Sequence, residues 1–122
     1  MAYLGTYDGI KLSIGSKLAI VFQCLDENED AIDLDGYSAV LSIRKEGDTT
    51  NILDLDSDGN GIVIETATGK LNISVTSAQS AEFTEGTYQY DCYIIDDESE
   101  RHDVARGDII AVESIVPIEE EA

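Results

Sequence analysis

The chain has 122 residues, 26 acidic and seven basic, giving a net charge of −19. That length suits one domain able to bury roughly two-thirds of its unfolded surface, and no run of about 18 apolar residues exists to span a membrane. A field of this sign repels phosphate backbones and anionic headgroups, so neither nucleic acid nor membrane is expected as a partner.

Residues 1–9 lack a basic start and an apolar block, so no secretion signal is read there and cytoplasmic synthesis is expected. A single domain over 1–122 is expected, with 1–8 and 117–122 as flexible tails. Ile10, Leu12 and Ile14 alternate with Lys11 and Ser13, a first short strand turned by Gly15-Ser16. Residues 18–25 are almost wholly apolar. Leu18, Ile20, Phe22 and Cys24 share one side with Val21 and Leu25 opposite, so this strand is expected to be covered on both faces. The acidic stretch 26–30 reads as a solvated loop.

Tyr37, Ala39, Leu41 and Ile43 then face inward, with Ser38, Ser42 and Arg44 outward. Short strands are expected at 51–55 and 62–65, separated by a glycine-bearing loop at 56–61. After Thr68-Gly69, Leu71, Ile73 and Val75 make the next inward stripe. Only 76–83 suggests a helical turn.

The run 86–95 alternates Tyr88, Tyr90, Cys92 and Ile94 against Gln89, Asp91, Tyr93 and Ile95, which marks a long, central, half-buried strand. An acidic cluster closes it, His102 falls in a charged loop, and the last strand is expected over 107–114. Seven to eight short antiparallel strands with regular turn signals, and no crossover helix, predict an all-β sandwich. Cys24 and Cys92 occupy the strand positions of the immunoglobulin cysteine pair, and Tyr90 stands two residues before Cys92 as that fold's corner tyrosine does. The chain has no tryptophan, so the expectation is an immunoglobulin-like sandwich outside the antibody family. In a reducing cytoplasm both cysteines are expected as packed thiols; a bond between them is geometrically conceivable and not required.

Asp54, Asp56, Asp58, Gly59 and Glu65 satisfy the spacing of a calcium loop, whose hard cation wants six to eight oxygens. Strand flanks, rather than helical ones, and Gly61 at the usual apolar anchor argue for a plain hairpin loop instead. Arg106-Gly107-Asp108 matches an adhesive tripeptide, but Gly107 more simply opens a strand. The lone His102 has no second histidine or poised nucleophile to work with, and the many carboxylates lie in wet loops, so no enzyme is expected. Tyr93 and Tyr37 are the candidate interface residues; inward tyrosines on strands more often serve the core.

Three segments in order carry a resemblance: 33–44 (Asp-Leu-Asp-Gly-Tyr…Ile-Arg), 68–74 (Thr-Gly-Lys-Leu-Asn-Ile-Ser) and 85–91 (Glu-Gly-Thr-Tyr-Gln-Tyr-Asp), followed by Gly107-Asp108-Ile109-Ile110. Together they resemble small tailed-bacteriophage virion domains with an immunoglobulin-like fold, such as the N-terminal domain of baseplate upper proteins. The resemblance covers about residues 10–115. It implies a non-enzymatic virion module of the tail, neck, baseplate or head decoration type, assembled in the host cytoplasm, present in several copies and bound to other virion proteins. It brings no catalytic residues. From the residues alone, two other readings stand beside it: a calcium- or carbohydrate-binding accessory module, and an acidic inhibitor that mimics DNA.

Overall fold

The computed structural model describes residues 5–6 and 10–113. Its strands are β1 (Gly5–Thr6), β2 (Ile10–Ser13), β3 (Leu18–Gln23), β4 (Ser38–Lys45), β5 (Asn51–Asp56), β6 (Ile62–Glu65), β7 (Lys70–Val75), β8 (Gly86–Ile95) and β9 (Arg101–Val112), with one helical turn, α1 (Ser77–Ser80), before β8. The larger sheet runs β1-β9-β8-β4-β5, and β2 continues along the same edge of β9 as β1; the smaller runs β3-β7-β6. Four-on-three pairing in the order β5-β4-β8-β9 against β3-β7-β6 is the C′CFG and BED arrangement of an immunoglobulin-like sandwich.

Two details depart from an all-antiparallel sandwich of seven or eight strands. Nine strands are present among the described residues, and β1 and β2 pair with β9 in parallel. The cause is the length of β9: its 12 residues pair with β8 on one side and leave the other edge open to the N-terminal segment. Gly5–Thr6, within the segment expected as a tail, pairs with Ala105–Arg106 in this ladder. Residues 117–122 lie outside the described residues.

The core follows the period of two. Ala39, Leu41 and Ile43 from β4, Leu71, Ile73 and Val75 from β7, and Tyr88, Tyr90, Cys92 and Ile94 from β8 are all buried. Phe22 stacks on Tyr90 between the sheets, ring centroids 6.0 Å apart and 18° from parallel. Cys24 and Cys92 are buried free thiols, and burial pushes Cys24 up to about 11 and Cys92 higher still. The expectation that the β3 region is covered on both faces fails. Val21 is 57% exposed, because none of the described residues covers it on the outer face of the smaller sheet.

The helical turn expected near 76–83 is present and built from local chemistry. Gln79 N donates to Thr76 Oγ1 (3.1 Å) and Thr76 N to Gln79 Oε1 (2.9 Å), a reciprocal capping box. The turn delivers Phe83 onto the Tyr88 ring at 4.7 Å. Tyr88 Oη donates to Thr84 O (3.1 Å) and accepts from Thr84 N (3.0 Å). A hydroxyl that closes this corner on the upstream backbone is that of Tyr88, four residues before Cys92, while the ring of Tyr90, the expected corner residue, packs on Phe22.

Two acidic loops share one design. In 26–30, Asp26 Oδ1 accepts Asn28 N and Asp30 N, Asp26 O accepts Glu29 N, and Glu29 has φ 66°. In 96–100, Asp96 Oδ1 accepts Glu98 N and Glu100 N, Asp96 O accepts Ser99 N, and Ser99 has φ 67°. Asp33 and Asp56 likewise accept the amide two residues on. Part of the chain's acidity is therefore turn chemistry.

Candidate interaction surface

Register places three rows of side chains across the outer face of the larger sheet. Asp56, Val40, Tyr93 and Asp103 form one; Asp54, Ser42, Asp91 and Arg106 the next; Asn51, Arg44, Gln89 and Asp108 the third. The part of this face that holds Ser42, Arg44, Gln89, Asp91, Arg101 and Arg106 forms a groove of about 680 Å³. The chain contains three arginines, Arg44, Arg101 and Arg106, and all three line this groove.

A bulge makes this possible. Cys92 pairs with Ala105 and Tyr93 with Asp103, so Val104 is an extra residue that reverses the phase of β9. Ahead of it Arg101 and Asp103 point outward while His102 and Val104 turn in. After it Arg106 and Asp108 point outward while Ala105 and Ile109 are buried. The tripeptide 106–108 consequently lies within a paired strand and forms no loop tip.

Arg101 is held firmly. Its guanidinium lies 3.8 Å from the Tyr93 ring centre and bonds Asp91 Oδ2 (3.0 Å) and Asp103 Oδ1 (3.1 Å). Burial is the largest single influence and disfavours its charge, but the Asp103 hydrogen bond and the nearby Asp103 and Asp91 carboxylates together outweigh it, so the guanidinium is held charged more firmly than usual. Arg106 is 3.6 Å from Asp103, a looser pair. Arg44 is exposed and makes no ion pair or side-chain hydrogen bond among the described residues, and Gln89 beside it makes none either. Asp91 Oδ1 is shielded from solvent without a donor.

The residues singled out from sequence do not gather in one place. Tyr93 stands on the groove face, capped by Arg101. Tyr37 precedes β4 in the inward phase and packs against the core; burial first, then the charges of Asp96, Asp97 and Asp33, raise its phenol. Asp54 accepts from Ser42 Oγ (2.7 Å) and Asn51 Nδ2 (2.8 Å), and Asp56 caps its own turn. Asp58 is exposed, and Glu65, in the other sheet, accepts from Asn72 Nδ2 (2.7 Å) and Thr68 Oγ1 (3.1 Å). The strand flanks thus send the four calcium-loop carboxylates to different partners. Among the described residues no group of three or more His, Cys, Asp or Glu side chains converges as metal ligands would.

His102 is not the solvated loop residue its charged neighbours suggest. It lies in β9, half-buried, with Nε2 2.9 Å from Asp96 Oδ2. That contact first, and then the amides of Glu100 and Glu98, hold the Asp96 carboxyl below its usual range; Asp30 and Asn28 amides do the same for Asp26. A lowered folded-state value means the stabilisation is complete above the ordinary carboxylate range, about pH 4, and is lost as pH falls through the lowered value. Thermal unfolding should show this as a gap between the parent and Asp96→Asn. The gap is widest above about pH 5 and closes on acidification; one that stays constant from neutral pH to pH 2 refutes the assignment.

A second surface lies on the smaller sheet. Val21 and Val63 flank Asn72 across its outer face and are 57% and 66% exposed. Among the described residues, β3 and β6 each pair only with β7 and so present unpaired edges.

Compared with known proteins, the chain matches no family model, and no curated protein matches it.

Proposed function

We propose that this chain is a non-enzymatic structural protein of a tailed-bacteriophage virion, an adaptor of the tail, neck or baseplate or a head decoration module. It works by protein–protein contact, in several copies on a symmetric assembly formed in the host cytoplasm. The observation that carries the contact reading is the smaller sheet, whose outer face exposes Val21 and Val63 on two strands that have unpaired edges among the described residues. Apolar side chains on such a face gain by being covered, and open edges accept further strands. The virion assignment is supported by the ordered motifs at 33–44, 68–74 and 85–91, whose segments form β4, β7 and β8 of an immunoglobulin-like sandwich. Burial keeps the Cys24 and Cys92 thiols protonated, which takes them out of nucleophilic work.

The test mixes the purified chain with recombinant neck, tail, baseplate and capsid proteins and measures complex mass by light scattering. A complex of fixed stoichiometry is expected, weakened about tenfold or more by Val63→Glu, which places a charge in the contact. A chain that stays monomeric and ignores every one of these proteins overturns the proposal.

A further inference from the structure

The arginine groove on the larger sheet has a chemistry that protein–protein contact does not explain. Cores of protein interfaces are depleted in charge and anchored by aromatic side chains. Here charged groups occupy the middle, and the one outward aromatic ring, Tyr93, is already covered by Arg101. Nucleic acid is repelled by the net charge of −19. A small ligand that brings a single negative charge meets far less of that repulsion than a phosphate backbone does.

We propose that this groove binds a saccharide bearing a carboxylate, a uronate or sialate unit. Arg44 is the anchor. It is exposed, it has no carboxylate partner among the described residues, and its planar fork matches a carboxylate bidentately. Gln89 lies directly across the ladder from Arg44, with an amide that donates to and accepts from sugar hydroxyls. Arg101, fixed by Asp91, Asp103 and the Tyr93 ring, forms a flat floor that needs no ordering on binding. Arg106, only loosely paired with Asp103, supplies a second cation at the rim. A groove of about 680 Å³ is of the size that small ligands fill. Asp54, Asp91, Asp103 and Asp108 share this face, and Asp91 and Asp103 occupy Arg101 and Arg106, so Arg44 is the guanidinium left to meet an anion.

The test is amide chemical-shift titration of the whole chain with trigalacturonate and with sialyllactose. Maltotriose serves as the neutral control and a hexaglutamate peptide as the acidic-protein control. Saturable shifts centred on Ser42, Arg44, Gln89 and Asp91 are expected with at least one of the acidic sugars. Arg44→Ala should weaken that binding about tenfold or more, while Lys17→Ala, on a distant turn, leaves it unchanged. The exposed position of Arg44 leaves the fold intact, and the same spectra report it. No saturation by either acidic sugar up to about 10 mM overturns the proposal. So does equal binding of maltotriose, tighter binding of hexaglutamate, or an Arg44→Ala chain that binds like the parent. None of these outcomes touches the assembly reading, which rests on the opposite sheet.

Discussion

Replacing Gly69 by alanine is expected to remove about 3 kcal/mol or more of folding free energy. Gly69 is buried at φ +70°, in the left-handed region that costs an L side chain about 1–2 kcal/mol. A Cβ there would lie 2.7 Å from Ile32 O, 2.9 Å from Cys24 O and 3.0 Å from Ile32 N. These are backbone atoms, so no rotamer change relieves the clash, and overpacking of this kind costs about 1–3 kcal/mol more. The loop cannot simply retreat, since Cys24 N donates to Gly69 O (2.7 Å) and Ile32 N to Cys24 O (3.1 Å). Domains are stable by only about 5–15 kcal/mol, so much of the total is at stake. Gly47→Ala is the control: its φ is +91°, but nothing lies within 4 Å, so only the conformational cost applies. Urea midpoints at constant m measure the difference. Equal losses in the two variants would mean the close approach at Gly69 contributes nothing.

Tyr88 is the second position of large effect. Truncation to alanine removes a fully buried ring packed at a 56° tilt against Phe83 and is expected to cost about 3–5 kcal/mol. Tyr88→Phe keeps the ring and deletes only the hydroxyl that both donates to and accepts from the Thr84 backbone. Leaving that amide without its acceptor costs about 1–3 kcal/mol. Chemical denaturation of both variants separates ring from hydroxyl. A phenylalanine variant as stable as the parent would show that the corner is held by packing alone.

Much of the architecture was legible because period two dominates this sequence. The inward stripes on β4, β7 and β8 are the buried ones, and the limits of β6 and β8 match the expected 62–65 and 86–95. The turn 76–83 was readable because a capping box is a local signal. What escaped was set by pairing between distant segments. Nothing in residues 5–13 announces a parallel partner, since register depends on the edge that β9 leaves open. The last strand begins six residues before the expected Gly107, because Arg101, His102 and Asp103 look like loop until one sees them pair with β8. The arginine groove was hidden for the same reason. Residues 101 and 106 have opposite parity, and only the extra residue at Val104 brings them to one face. Tyr88 was missed at the corner by counting back from Cys92, whereas the loop length after α1 puts its hydroxyl in reach of Thr84.

The parallel register of β2 on β9 has a mechanical consequence. Because these strands run the same way, the chain enters β2 at one end of the ladder and leaves β9 at the other. Tension applied between the start of β2 and the end of β9 therefore pulls the two strands past each other lengthwise. It loads the rungs from Ile10–Ile109 to Ser13–Val112 together instead of peeling them one by one. A block built this way resists stretching along its own axis better than prying at a hairpin end.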